Sequence, residues 1–179
     1  FNGMLSANLT LYRIINNNLS QMALVDHNGN ENTNTNLREL TGQTTSDGIE
    51  VDLKSQPIKG WDIIGGYSYN YMRYTKTTGK NGSFVEGERL VNNPAHTANA
   101  TTFYTIQDGA VKGLKLGAGI YYVGKRNAGW NTTYLANGSL NDRLFQVKGF
   151  TTVDVSAGYT YKKLSLMAKL ANITDTFNY

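Results

Sequence analysis

"GFTTVDVSAGYTYKKLSLMAKLANITDTFNY", residues 149–179, decides how the rest of the chain is read. Val153, Val155, Ala157, Tyr159 and Tyr161 occupy alternate positions, and Thr152, Asp154, Ser156 and Gly158 fall between them. Successive side chains of an extended strand point to opposite faces, so this strand has one apolar and one polar face. Lys162 and Lys163 interrupt the pattern, which then resumes over 164–172. The stretch predicts a long antiparallel hairpin closed by a very short turn.

The same alternation recurs upstream. Leu5, Ala7, Leu9 and Leu11 share one face over residues 5–14, and Ile49, Val51 and Leu53 do so before Pro57. Trp61, Ile63, Tyr67 and Tyr69 follow, with further strands expected over about 95–106 and from Leu114 onward. This makes about seven long strands. The segments between them alternate in size. Residues 15–45, 75–93 and 127–148 are long and polar, whereas 57–60, 107–113 and 162–163 are short. Consecutive antiparallel strands reverse direction, so all long connections fall at one end of the sheet and all short ones at the other. Within the first long segment, a short strand at 21–25 is expected to close at an Asn28–Gly29 turn, with the remainder irregular.

Composition narrows the class. A net charge of +4, from 17 basic and 13 acidic residues, gives no reason to invoke nucleic acid. With no cysteine, neither a disulfide framework nor thiolate chemistry is available. Twelve tyrosines and 19 glycines against two prolines favour strands and turns. No run of about 18 apolar residues exists, so no helical membrane span is expected. A membrane-crossing strand needs only about 9–11 alternating residues. A mean hydropathy of −0.41 is therefore compatible with a membrane. Rings such as Trp61, Tyr71, Tyr104, Tyr122 and Tyr159 lie near strand ends, where a lipid interface would accept them. Asp62, Asn99, Lys115, Asp154 and Lys169 occupy the opposite faces, suiting a water-filled or plugged lumen better than a dry core. The fold expected is all-β, an antiparallel transmembrane β-barrel. A soluble β sandwich or lipocalin-like barrel has the same alternation and is the rival.

Catalysis and metal binding find little support. His27 and His96 are far apart in sequence and have no cysteine beside them, which defines no metal site. Ser20, Ser46 and Ser139 have no credible base, and Asp154 has no partner constellation. A strand-entry hydrogen bond is the structural reading of His96.

Several passages, taken in order, resemble a known family. They are "LTLYRIINNNL", "SDGIEVDLKSQPIKGWDIIGGYSYNYMRY", "GERLVNNPAHTANATTFY", "LKLGAGIYYVGKRN" and "VDVSAGYTYKKLSLMAKLANITDTFNY". Each is a weak motif, but their order and spacing resemble the C-terminal barrel portion of a TonB-dependent outer-membrane receptor of the siderophore type. The resemblance implies that residues 1–179 hold about seven strands of a roughly 22-stranded barrel. The N-terminal plug, the earlier strands and the last strand are expected to lie outside this sequence. It further implies a location in the cell outer membrane and active uptake of a ferric siderophore or similarly bulky nutrient, driven through the TonB complex. Outer-membrane lipid and lipopolysaccharide are the other implied partners. No enzyme activity, resident cofactor or nucleic-acid partner is implied. The alternatives are a TonB-dependent glycan or other nutrient transporter, a passive porin and a soluble β-sheet binding module. Because ligands of the resembled family meet long outer loops, the ligand candidates are Phe84, Arg89, Arg126, Trp130, Tyr134 and Arg143. Aromatics can pack on a siderophore scaffold, and arginines can meet anionic oxygens. No catalytic or metal-ligating residue is assigned.

Spin labels placed singly along residues 152–159 of the intact, bilayer-embedded protein test the two faces. Labels at 153, 155, 157 and 159 are expected to respond to a lipid-soluble quencher and those at 152, 154, 156 and 158 to a water-soluble one. A label at 154 that follows the lipid-soluble quencher would reverse the assignment.

Overall fold

The computed structural model describes residues 4–34, 36–79, 85–129 and 144–177. Seven strands form one antiparallel sheet: β1 (Leu5–Met22), β2 (Arg38–Ile58), β3 (Trp61–Lys76), β4 (His96–Thr105), β5 (Leu114–Val123), β8 (Phe150–Tyr161) and β9 (Leu164–Leu170). They lie side by side in chain order. Between β5 and β8 the chain makes a separate two-stranded ribbon, β6 (Arg126–Ala128) with β7 (Phe145–Val147). Among the described residues no helix is long and apolar enough to cross a membrane, which does not bear on crossing by strands.

Register carries the two faces across the whole sheet. Leu53 lies opposite Gly65, Gly65 opposite Ala100, Ala100 opposite Ile120 and Ile120 opposite Val153. One position along, Asp52, Gly66, Asn99, Tyr121 and Thr152 form the next row. Directly opposed residues share a face, so the period of two in each strand becomes one apolar and one polar surface. The apolar surface is open: Leu9, Leu11, Leu166 and Leu170 are between 65% and 69% exposed. Among the described residues the buried hydrophobic side chains are Met22, Ala23 and Val123. A soluble module would have to bury its apolar face against a second layer, and among the described residues no such layer covers these leucines.

The turns form where the sequence places them. Gly60, with φ of 84°, sits in the β2–β3 connection, and Gly113, with φ of 89°, ends the β4–β5 connection. Lys162 adopts a left-handed φ of 54° in the β8–β9 turn. Residues 59–60, 106–113 and 162–163 lie at one end of the sheet, and the chain leaves β1, β3 and β5 after Met22, Lys76 and Val123 at the other.

Three expectations need correction. The first long connection is much shorter than 15–45, because β1 runs to Met22 and β2 begins at Arg38. Thr44 and Thr45 pair with Asn16 and Ile15 in that extension. Backbone pairing there needs no apolar side chains, so the hydrophobic pattern stops before the strand does. Register shifts between Asn16 and Leu19 and between Leu19 and Gln21 bend the extension. The segment 127–148 is likewise more ordered at its base than a plain loop, through the β6–β7 ribbon. Pro57 does not end β2, which continues to Ile58; the register slips between Ser55 and Ile58, where the missing N–H is tolerated. The small turn at Asn28–Gly29 is present. Gly29 has φ of 82°, and the Asp26 carboxylate accepts the Asn28 and Asn30 N–H groups at 2.8 and 2.9 Å.

Two glycines on the polar face make room for rings. The Tyr12 ring lies over Gly48, where a Cβ would collide with it. A Cβ on Gly117 would fall 2.6 Å from the Phe103 ring and 2.5 Å from Ser156 Oγ. At both sites a neighbour's ring covers the backbone of a residue that has no side chain of its own.

The face assignment predicts an asymmetric cost of charge at mid-strand. Ala100→Arg, on the apolar face, should destabilise the intact barrel by about 2–4 kcal/mol in a lipid folding titration. Thr101→Arg, one position along on the polar face, should change stability by less than about 1 kcal/mol. Equal costs at the two positions would contradict the faces.

Candidate functional site

The end of the sheet with the long connections is tied together by the chain itself. The Thr78 N–H donates to Gln21 Oε1 at 3.0 Å, joining the segment after β3 to the tip of β1. Further along, the Asn92 N–H donates to the Asn127 carbonyl at 2.8 Å, joining the β3–β4 connection to the β6–β7 ribbon. Residues 87–90 extend the sheet beside β3: Tyr74 N–H donates to the Glu88 carbonyl at 3.0 Å, and Leu90 N–H to the Met72 carbonyl at 3.2 Å. These bonds tie the segment after β3 to the upper end of β1 and to the β6–β7 ribbon.

Of the ligand candidates, Phe84, Trp130, Tyr134 and Arg143 lie outside the described residues. Arg126 opens β6, opposite Val147, and is partly buried. Arg89 forms an antiparallel bridge with Arg73. Its guanidinium lies 4.6 Å from the centre of the Tyr71 ring and donates to the Asn70 carbonyl at 3.2 Å. Arg73 lies 4.5 Å from the same ring. Stacking on Tyr71 holds both cations in place. Arg89 and Arg126 are thus brought to neighbouring segments, linked through Asn92 and Asn127.

An apolar groove of about 570 Å³ at this end was not singled out from the sequence. Phe145, Val147, Phe150 and Phe177 line it together with Lys148. Phe145 and Phe177 are 62% and 76% exposed, which is unusual for phenylalanine at the wet end of a sheet. The sequence signal was available as three phenylalanines flanking polar runs. Only the fold brings residue 177 beside residue 145. That approach depends on Asn172, which has a left-handed φ of 51° and whose amide caps the closing turn. Its Oδ1 accepts the Thr176 N–H at 3.0 Å, and its N–H donates to Asp154 Oδ1 at 2.8 Å. Asp154 also pairs with Lys169 at 2.8 Å, so this carboxylate serves to fix the chain after β9.

A charged group closes the top of the apolar surface. Asp47 receives Arg13 Nε at 2.5 Å and Arg73 Nη1 at 2.8 Å. Counted back from Ile58, a span of about ten residues reaches Ile49, so Asp47 lies just beyond the membrane band. Hydrogen bonds from Arg13 and then Arg73 hold its carboxyl down to about 2. Nearby, burial and then the Glu88 carboxylate push the Tyr74 hydroxyl up to about 12, so it remains a neutral phenol at physiological pH. His96 makes a strand-entry contact, with Nδ1 2.8 Å from the Tyr67 hydroxyl and its ring 5.1 Å from that of Tyr69. Among the described residues no three metal-ligating side chains gather. The arrangement of the described residues offers aromatic surface and cations to an anionic ligand.

Comparisons with known proteins agree with this architecture. A family model described as TonB dependent receptor-like, beta-barrel, matches residues 1–173. The ferrioxamine B receptor of Salmonella typhimurium is 29% identical over 141 residues, 75% of this chain and 18% of that protein. The metal-pseudopaline receptor CntO of Pseudomonas aeruginosa is 28% identical over 127 residues, 71% of this chain and 16% of that protein. Among solved structures, P. aeruginosa FpvA in complex with a heterologous pyoverdine and iron superposes with a TM-score of 0.72. It is 21% identical, and the match covers 98% of this chain and 22% of that one. At that identity the likeness speaks for the fold alone. The chain spans between 16% and 22% of the length of these relatives.

The Asp47 contacts carry a pH signature. A carboxyl held at about 2 in the folded state, against an ordinary 3.8, contributes stability that is complete above about pH 4. That contribution is lost as pH falls from 4 toward 2. Thermal unfolding of the intact protein between pH 2 and 6 should therefore show a gap between wild type and Asp47→Asn that is widest above pH 4 and closes toward pH 2. A gap independent of pH would mean that Asp47 acts through shape alone.

Proposed function

Because the chain belongs to the TonB-dependent receptor β-barrel family, we propose that it is part of an outer-membrane receptor that takes up a ferric siderophore with energy delivered through TonB. The observation that carries the reading is an antiparallel sheet in chain order whose long connections all leave from one end and whose apolar face is open. Such a sheet belongs in the outer membrane, with the long connections outside and the short turns on the periplasmic side. The functions of relatives, a ferrioxamine B receptor and a ferrichrome transporter among them, support a siderophore as cargo. So do the exposed phenylalanines and the cations of the loop end. In this reading the loop groups Phe84, Trp130, Tyr134 and Arg143, together with Arg126 and Phe145, meet the ligand. Aromatic faces pack on its scaffold and guanidiniums meet its anionic oxygens.

Among the described residues, β1 and β9 each have one unpaired edge in the seven-stranded sheet. In hydrocarbon such an edge leaves N–H and C=O groups without partners, which is prohibitive. We take both edges to be paired by further strands of the same receptor, with a plug and a TonB-contacting segment elsewhere in that longer chain.

Uptake by iron-starved cells expressing the intact receptor tests this. Ferrioxamine B and ferrichrome loaded with radioactive iron are suitable first probes, with and without a protonophore. Uptake of at least one ferric siderophore that stops when the proton gradient is dissipated is the expected result. Arg126→Ala combined with Phe145→Ala should then weaken binding about tenfold or more, on the scale of a lost charged hydrogen bond and aromatic contact. Gradient-independent uptake would indicate a passive porin. Gradient-dependent uptake of a glycan, with no siderophore accepted, would move the cargo to another nutrient class.

A further inference from the structure

From the row of Glu50 and Ser68 down to the short turns, charge on the polar face is divided between two halves. Parity and register place Glu50, Asp52 and Asp62, with Lys54, on that face of β2 and β3. They place Lys115, Asp154 and Lys169 on the same face of β5, β8 and β9. Carboxylates outnumber cations in the first half, and cations outnumber carboxylates in the second. Asp154 is committed to Lys169 and to the Asn172 N–H, so Lys115 carries the surplus positive charge. Its ammonium lies 4.3 Å from the centre of the Phe103 ring. That ring in turn lies on the backbone of Gly117, which has no side chain to exclude it. Met167, opposite Gly158, is 73% exposed on this face. Phe103, Lys115, Ser156, Thr160, Ser165 and Met167 border a groove of about 330 Å³ beside the short turns. The Thr160 and Ser165 hydroxyls lie 2.9 Å apart along it.

We propose that this groove is a binding site for an aromatic anion, namely one catecholate arm of a ferric complex on its way to the periplasm. The inference rests on the reading of the chain as part of a ferric-siderophore receptor. In that reading the polar face borders the lumen and the short turns mark its periplasmic end. Size limits the occupant, since about 330 Å³ is near the lower bound for small-molecule sites and admits one substituted ring rather than a whole complex. Chemistry selects it further. Phe103 and Met167 offer aromatic and thioether surface to a ring. Lys115 offers charge to ionised oxygens on that ring, and the hydroxyls of Ser156, Thr160 and Ser165 supply hydrogen bonds beside it. The division of charge gives the approach a direction, because the carboxylates of β2 and β3 repel an anion toward β5, β8 and β9. Lys115 is exposed, so its attraction is moderated by water and the arm is released readily, as a station on a route requires.

Two measurements on the intact receptor test this. In the first, Met167 is replaced by photoreactive benzoylphenylalanine and the detergent-purified protein is irradiated with radiolabelled dihydroxybenzoate. Label should attach at position 167. Lys115→Gln should lower the yield about tenfold, on the scale of a lost charged hydrogen bond, and Lys115→Arg should restore most of it. Uncharged dimethoxybenzene should label no better than dihydroxybenzoate does in the Lys115→Gln protein. In the second, energised cells are given an anionic ferric tris-catecholate complex or neutral ferrichrome. Lys115→Gln and Met167→Glu should each lower the initial rate for the catecholate complex relative to ferrichrome about tenfold. Met167→Glu keeps the test decisive if Lys115→Gln folds poorly, because residue 167 is exposed. Absence of labelling, labelling independent of Lys115, equal labelling by dimethoxybenzene, or an unchanged rate ratio in both variants would each overturn the proposal. Wild-type cells that take up ferrichrome and no catecholate complex would overturn it too, and leave the receptor reading standing. A protein that labels at 167 through Lys115 but imports no ferric siderophore would keep the aromatic-anion site and count against the proposed cargo.

Discussion

In hydrocarbon no water is available to a peptide group, so each N–H and C=O must find its partner in protein. That constraint organises this chain more than any side-chain contact does. It explains why each strand of the main sheet lies against its sequence neighbour, in an unbroken antiparallel run from β1 to β9. The run also fixes where connections go. Once each strand reverses the last, every second connection returns to the same end, and length can accumulate there without disturbing the ladder. The β6–β7 ribbon shows the freedom this allows, since it interrupts the sequence between β5 and β8 and leaves their pairing intact.

With the backbone satisfied, the side chains are free to divide by solvent. The apolar row through Leu53, Ala100, Ile120 and Val153 asks only for lipid. The polar face is structured differently, through specific contacts. Rings lie over Gly48 and Gly117, and Asp154 joins Lys169 to the turn at Asn172. A polar group facing a lumen can remain hydrated, whereas the same group facing hydrocarbon would cost several kcal/mol, on the order of that for an unsatisfied backbone group. The asymmetry of the two faces is therefore thermodynamic, and the pleat only executes it.

Above the membrane band the rules change again. The extension of β1 and β2 buries Gln21, Thr44, Thr45 and Ser46, all polar, and side-chain hydrogen bonds link Gln21, Thr45 and Ser46 to their surroundings. Here water competes for every group, so order is kept by networks. The links from Gln21 to Thr78 and from Asn92 to Asn127 tie the segment after β3 to β1 and to the β6–β7 ribbon.

Much of this was legible from the residues alone. Alternation through Val153, Val155, Ala157 and Tyr159 determined strand type, facing and the short lysine turn, because a period of two follows from the pleat. Alternating connection lengths determined which ends carry loops, and the ordered passages pointed to the family. The upper reaches of β1 and β2 were not legible, since asparagines and threonines pair through backbone groups that leave no hydrophobic trace. Nor was the groove of Phe145, Phe150 and Phe177, which exists because Asn172 turns the chain back toward the ribbon. Arg89 shows the difference most plainly. Its place in a polar loop suggested a ligand contact, but which face it presents depends on a bridge to Arg73, sixteen positions away in sequence. Local pattern decides how a strand divides its own two sides. Only pairing between strands decides which charges meet, because register is set by the whole sheet at once.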